Sequence, residues 1–404
     1  MTNRVCRRLA LRLLVGAPAA LLLSACSGKA AQPATVVSSS TSTGTSAAPP
    51  TAVAVATATA TPLPETPTPA ATPADATPTS VATALPTAVP STPTPGATPA
   101  AVIAAALNAQ NPGRQWNFAL RPLLFQVDNA PDARPQSGLN SAYVVYETLA
   151  EGGITRFTAL FVQQALSDIG NLRSARLVDL DLVPQWDGVL LHVGASTPVE
   201  QMIAAAGIAQ LDFDQTNNTP ASFRTSDRVA PYNLYTSLAR LRPYLTARGI
   251  AQTATSPRAF PVGPLPAGVT STAGQSLTIP YGAPSTAGYT WDAGAKGYRR
   301  STDGTTVIDA NTGEPVIVSN VVAQFAKEIV TDIIEDVEGS HSLQFVQTGA
   351  GKAVLLRDQR RIDLTWRRDR KDQLTAFAFP DGSPATFAPG NVWISFVPDS
   401  MQLA

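Results

Sequence analysis

From position 26 to position 107 the chain consists almost entirely of Ala, Thr, Pro, Ser and Val, as in the run TPLPETPTPAATPADATPTS. It holds almost no charge and no aromatic side chain. Such a segment buries too little apolar surface to offset the entropy of ordering it, and its prolines favour extended polyproline II. It is expected to form a long disordered stalk. As a flexible coil of about 80 residues it spans on the order of 50 Å, and more where proline stiffens it. Any core must therefore come from residues 108–404, enough for two domains of ordinary size. The low charged fraction, 14% against about 25% in average proteins, and the 35 prolines follow largely from this segment.

The stalk is preceded by a secretory signal over residues 1–25. Arg4, Arg7, Arg8 and Arg12 form a charged start, Leu13–Leu23 an apolar centre, and Leu23-Ser24-Ala25-Cys26 a lipobox. The apolar run is short for a membrane span, which needs about 20 residues. Cleavage before Cys26 and acylation of its thiol would anchor the protein, each buried CH₂ adding about 0.8 kcal/mol. The remaining chain is then expected on the extracytoplasmic face of a bacterial membrane. The alternative is an ordinary secretory signal in which Cys26 is incidental. A Thr/Pro-rich stalk also suits O-glycosylation.

Cys6 and Cys26 are the only cysteines and His192 and His341 the only histidines, so neither a disulfide, a thiol nucleophile nor a Cys/His metal site is expected in the folded part. No cofactor is expected. Loss of the signal's four arginines leaves 25 basic against 29 acidic residues, a balance that argues against nucleic acid as partner.

Two folded regions are expected, 108–255 and 275–404, joined by a loop-rich connection over 258–280. In the first, Leu123–Val127 reads as a buried strand. Tyr143–Leu149 and Thr155–Val162 read as a hairpin turning at Gly152-Gly153, and Gly188–Val193 as another buried strand. Helices are expected at Arg176–Gln185, from Thr197 as N-cap with Pro198 first in the helix to Ala206, and over Asn233–Arg242. The second region reads as mostly β. A hairpin turns around Gly294–Gly297, turns fall at Gly349/Gly351 and at Asp358-Gln359, a final strand covers Asn391–Val397, and Trp366 and Trp393 enter the core. The fold class is α/β (α+β): a mixed sheet with flanking helices, then a smaller β-rich part.

Within Arg121–Arg176, apolar runs end on Asp128, Asn129, Arg134, Gln136, Glu147, Glu151, Arg156, Arg173, Ser174 and Arg176. Few of these belong to an ordinary solvated surface. The segments RPLLFQVDNAPDARPQSGLNSAYVVYETLAEGGITRFTALF, IGNLRSAR, HVGAS and SFRTSDRVAPYNLY resemble the YerB-like lipoprotein family, over roughly 110–250 and 285–400. The resemblance implies an α/β N-terminal part and a smaller C-terminal part, and brings no established activity. One departure is visible. The family usually carries His in a Pro-His-Asn motif, and here the motif is Pro231-Tyr232-Asn233. A catalytic or ligating role of that His would be lost, whereas a structural or recognition role could pass to Tyr232.

Several constellations carry chemistry. Glu147 and Glu151 could act as general acid and base, or serve as ion-pair partners of Arg134 and Arg156. Arg134, Arg156, Arg173, Arg176, Arg224 and Arg228 could gather around a carboxylate or phosphate, or satisfy Asp128, Glu147, Glu151 and Asp179. Ser196 with His192, oriented by Asp128, could form a nucleophile and base, although no Gly-x-Ser-x-Gly elbow is present. The basic run Lys352–Lys371, interleaved with acids, could meet an anionic surface or be a solvated strand face. The leading expectation is a lipoprotein that binds an anionic cell-wall polymer or envelope protein through Asp128, Asn129, Arg134, Gln136, Glu147, Glu151, Arg156, Arg173, Ser174, Arg176, His192, Arg224 and Asn233. An envelope hydrolase and a scaffold for envelope proteins are the alternatives.

The anchoring reading makes a direct prediction: Cys26→Ser moves the protein from the membrane fraction to the soluble fraction in a cell fractionation. Continued membrane association of that variant would sink it.

Overall fold

Leu123–Asp128 is apolar or buried at every position, so this strand must be covered on both faces. That requirement sets the architecture. The computed structural model describes residues 100–111, 113–214 and 220–404; the signal segment, Cys26 and the stalk up to residue 99 lie outside the described residues.

The first part of the chain supplies β1 (Leu123–Asp128), β2 (Val144–Leu149), β3 (Thr155–Phe161), β4 (Asp168–Gly170), β5 (Val189–His192), β6 (Gln210–Asp212), β7 (Ser222–Arg224) and β8 (Leu234–Ser237). Its helices are α1 (Ala100–Gln110), α2 (Asp179–Trp186), α3 (Thr197–Ala205) and α4 (Leu238–Ala247). The second part begins with β9 (Thr272–Ala273), β10 (Ser276–Ile279), β11 (Ala287–Asp292), β12 (Gly297–Thr302) and β13 (Thr305–Thr306). There follow β14 (Ile308–Asp309), β15 (Glu314–Pro315), β16 (Ile317–Val318) and β17 (Asn320–Ala326), then the hairpin β18 (Glu328–Ile334) and β19 (His341–Phe345). The chain closes with β20 (Gly349–Arg357), β21 (Arg360–Arg368), β22 (Ala376–Ala378) and β23 (Val392–Pro398).

One 11-stranded sheet takes strands from both parts, in the order β22-β21-β20-β17-β23-β2-β3-β1-β5-β6, with β9 on β21. β23 lies at its centre, parallel to both β17 and β2. Alternate residues of the central strands enter two cores. Val392, Ile394 and Phe396 face α1, α2 and α3 through Leu107, Trp186 and Ile203. Trp393 and Val397 face α4 and a second sheet, β10-β11-β12-β13 with β16, through Leu241, Tyr289 and Tyr298. No helix of the described residues is long and apolar enough to cross a membrane.

The mixed sheet with flanking helices, the two hairpins and the turn at Asp358-Gln359, both at positive φ, agree with the sequence reading. Five local expectations are corrected. Residues 100–107, placed in the stalk, belong to α1, because Ile103 and Leu107 lie one turn apart and enter the core. Thr197 is already helical; Ser196 is the N-cap residue. Helix α2 starts at Asp179 rather than Arg176. Asn233–Arg242 is not one helix: Tyr235 and Thr236 sit in β8, and Ser237 then caps α4 by accepting from Arg240 N. Gly349 and Gly351 form no turn but open β20. A Cβ on Gly351 would stand 2.6 Å from Trp366 Nε1, so glycine there admits the indole that donates to Phe325 O.

Because β23 pairs with strands from both parts of the chain, loss of packing at its centre should be felt everywhere. Ile394→Ala is predicted to cost about 2–5 kcal/mol. Hydrogen exchange in denaturant should show 123–161 and 320–368 losing protection together; two separate transitions would contradict this.

Candidate functional site

The polar residues singled out above converge where β1 and β5, which are parallel, end and where β3 begins. The carboxyl ends of parallel strands are where such sheets commonly place ligands. Here the side chains form two linked networks, most of them turned inward.

The deeper network is centred on Glu147 of β2. Its carboxylate is fully buried, with Arg300 Nη2 at 2.6 Å from Oε1. Thr155 Oγ1 donates to Oε1 at 2.9 Å and Trp393 Nε1 to Oε2 at 2.9 Å. The Tyr289 hydroxyl lies 3.4 Å from Oε2. Arg300 is equally buried and lies 5.2 Å and 5.4 Å from the ring centres of Tyr289 and Trp393. Burial alone would lower its pKa, but the charge and hydrogen bond of Glu147, together with Tyr289 and Tyr281, raise it overall. Thr155 Oγ1 accepts from Asn129 Nδ2, and Asn129 Oδ1 accepts from Gln136 Nε2. Arg134 donates to the carbonyls of Asn129 and Pro284. Burial lowers the Arg134 pKa, and Asp303, 4.0 Å away, partly restores it.

The second network is centred on the turn Glu151–Gly153, where Gly152 and Gly153 take φ of 68° and 72°. Arg176 binds Glu151 in two-point fashion, with Nε–Oε2 at 2.8 Å and a second bond from Nη2 to Oε1. Arg156 Nη2 lies 3.7 Å from Glu151, and its Nη1 donates to the Ser174 carbonyl at 3.0 Å. Burial pushes the Glu151 carboxyl up, but the hydrogen bonds and charge of Arg176, helped by Arg156, hold it at about 2. Burial lowers Arg156 to about 10, with neighbouring Arg176 adding to the effect. Asp179 accepts from Arg176 N, Gln126 and Thr158, yet burial raises its carboxyl to about 6. Glu335, carried in by the β18–β19 hairpin, is fully buried 3.7 Å from Arg176 Nε.

Toward solvent, Asp128 is buried and pairs with Arg173 Nε at 2.8 Å, while the Arg173 side chain is 30% exposed. Its guanidinium lies 5.6 Å from the ring centre of Tyr232. Neither Nη of Arg173 makes a hydrogen bond to another side chain or to the backbone among the described residues. Arg228 donates to the carbonyls of Ala133 and Pro135. Arg224, exposed, donates to Asn233 Oδ1.

His192 and Ser196 are not joined. His192 is buried, with Nδ1 2.9 Å from Gly194 O and Nε2 2.7 Å from Gln210 Oε1, so both ring nitrogens are taken. Nor do Glu147 and Glu151 face one space: each is bound to a different arginine. Among the described residues no three His, Cys, Asp or Glu side chains come together to hold a metal.

Sequence reasoning missed Arg300, Glu335 and Asp309. Buried Asp309 accepts from Gly138 N and Asn140 N, tying the ARPQSGL loop to the second part of the chain. Only Arg300 carried a signal: it follows Tyr298 by two positions and so shares its face of β12.

Glu151 makes a pH prediction. Its folded pKa is depressed, so its contribution is complete above about pH 4.5 and is lost as pH falls toward 2. Glu151→Gln should lower stability on the order of 2–3 kcal/mol at pH 7, with the difference from wild type shrinking below pH 4.5 in denaturant melts. A difference independent of pH would contradict the assignment. Asp179 acts in the opposite sense, its raised pKa costing stability as pH climbs from about 4 to about 6.

A family model described as "Protein of unknown function (DUF3048) N-terminal domain" matches residues 112–251, and its C-terminal counterpart matches 277–394. The YerB lipoprotein of Bacillus subtilis (strain 168) is 33% identical over 288 residues, 69% of this chain and 82% of that protein. The crystal structure of the YerB protein from Bacillus subtilis superposes with a TM-score of 0.60 at 27% identity, covering 71% of this chain and 95% of that one. The chain therefore belongs to the YerB-like DUF3048 family and carries both its N-terminal and its C-terminal part.

Proposed function

We propose that the protein is a lipoprotein held at the extracytoplasmic face of a bacterial membrane by acylated Cys26, and that its folded part binds an anionic component of the cell envelope. The lipobox and the relative named as a lipoprotein support the anchor. The binding reading rests above all on Arg173, whose Nε lies 2.8 Å from the buried Asp128 carboxylate while neither Nη makes a hydrogen bond to the protein among the described residues. A guanidinium held by one nitrogen is pre-organised to present a two-point fork to a carboxylate or phosphate. Tyr232, which stands where the family usually has His, lies against its flat face. Arg134, Arg156 and Arg176 spend their donors on internal carboxylates and carbonyls, so their part in binding is to fix the framework. Binding is favoured over hydrolysis because Glu147 and both nitrogens of His192 are already engaged.

The test uses the full-length protein in detergent micelles and purified teichoic acid or peptidoglycan, with retention measured by co-sedimentation. Arg173→Lys keeps a cation beside Asp128 but removes the fork. It should weaken retention about tenfold, which corresponds to about 1.4 kcal/mol, with little change in unfolding temperature. Undiminished retention by the variant, or no retention by wild type, would overturn the proposal.

A further inference from the structure

The basic run Lys352–Lys371 holds eight Lys and Arg side chains. Six have polar partners. Arg357 pairs with Asp358, Arg367 with Asp369, and Arg370 with Asp372, while Arg368 and Lys371 both reach Asp181 and Arg360 donates to Ser271. The other two, Lys352 and Arg361, make no side-chain hydrogen bond or ion pair among the described residues. These same two line one cleft of about 520 Å³.

The cleft lies between the sheet and the C-terminal segment Asp399–Leu403. Lys352 is on β20 and Arg361 on β21, and pairing of Lys352 with Thr365 and of Leu356 with Arg361 puts both on the same face of the sheet. Phe325 forms the floor, and Met401 and Leu403 form a wall; all three are half-buried, with apolar surface left open. The wall is fixed, since Ala404 and Thr278 exchange backbone hydrogen bonds and Met401 N donates to Pro398 O. Asp399 is the one acid of the lining, so the lining carries a net charge of +1.

We infer that this cleft is a binding site for a small anionic amphiphile, with a phosphate or carboxylate head against Lys352 and Arg361 and an apolar body over Phe325, Met401 and Leu403. A bare anion would leave the aromatic floor uncovered, and a purely apolar ligand would leave both cations unanswered. This site is independent of the one at Arg173. A lipid headgroup and a soluble organic phosphate present the same chemistry.

The experiment titrates full-length protein in phosphatidylcholine nanodiscs with hexyl phosphate, followed by calorimetry. Hexyl phosphate should bind at least tenfold more tightly than inorganic phosphate or hexanol. Lys352→Gln combined with Arg361→Gln should weaken it at least tenfold, with Arg367→Gln as a control that leaves it unchanged and thermal melts confirming the fold. Equal affinity in the double variant, equal binding of inorganic phosphate, or no binding would overturn the inference. Phosphatidylglycerol nanodiscs separate the sources: competition supports the site with a membrane lipid as its ligand, and undiminished binding supports it with a soluble one.

Discussion

The structure depends most on the ion pair between Glu147 and Arg300. Taking two charges fully out of water costs several kcal/mol per ion, which their attraction recovers only if the remaining lone pairs and donors are answered. Here they nearly all are: the carboxylate receives Arg300, Thr155 and Trp393, and the guanidinium lies against Tyr289 and Trp393 and reaches Thr302. The contributors come from β2 and the start of β3, from β23, and from β11 and β12 of the second sheet. One contact therefore fixes the large sheet against the layer beneath it. It also fixes register, because a slip of one residue along β12 would turn Arg300 outward and bring Arg299 into the core. Breaking a pair of this kind is strongly destabilising, since it leaves one charge buried without its partner.

The same logic explains why so many charges gather at the ends of β1, β2 and β3. Arg134, Arg156 and Arg176 each bind a carbonyl or carboxylate of a loop that would otherwise leave buried polar groups unanswered. They act as clamps on the Gly- and Pro-rich connections of the sheet. Asp179 marks where the clamp is incomplete, because its three hydrogen bonds do not offset its burial. Arg173 is the point at which this inward wiring reaches the surface.

Much of the large sheet was legible because its strands are either apolar on both faces, as in Leu123–Asp128, or bounded by turn residues, as in the β2–β3 hairpin. The errors fell where local signals compete. Gly349 and Gly351 look like a turn, and only the indole of Trp366, fifteen residues beyond Gly351, explains a glycine inside a strand. Asn233–Arg242 has helical spacing throughout, yet its first half completes an antiparallel pair with β4 and β7. The candidate site was legible as a set of residues but not as a circuit. The sequence points to Arg134 or Arg156 as the partner of Glu147, whereas that partner is Arg300, 153 positions away on another sheet. A single sequence carries no term for that distance.

The basic run shows the converse limit. Along the chain, Arg357, Arg367 and Arg370 find acids one or two residues away, so a charge pattern alone describes them well. Arg368 lies in the same run yet points inward to Asp181, because strand alternation places it with Trp366 and Leu364 on the core face. Lys352 and Arg361 differ from both groups for a topological reason: the antiparallel return of β21 brings them to one face, under a C-terminal segment that supplies apolar wall but just one acid. Their lack of partners thus follows from where the chain runs after β23, not from the composition of the run. A charge that local neighbours neutralise serves solubility. A charge that the fold carries to a half-apolar cleft and leaves unanswered is placed where a ligand can complete it.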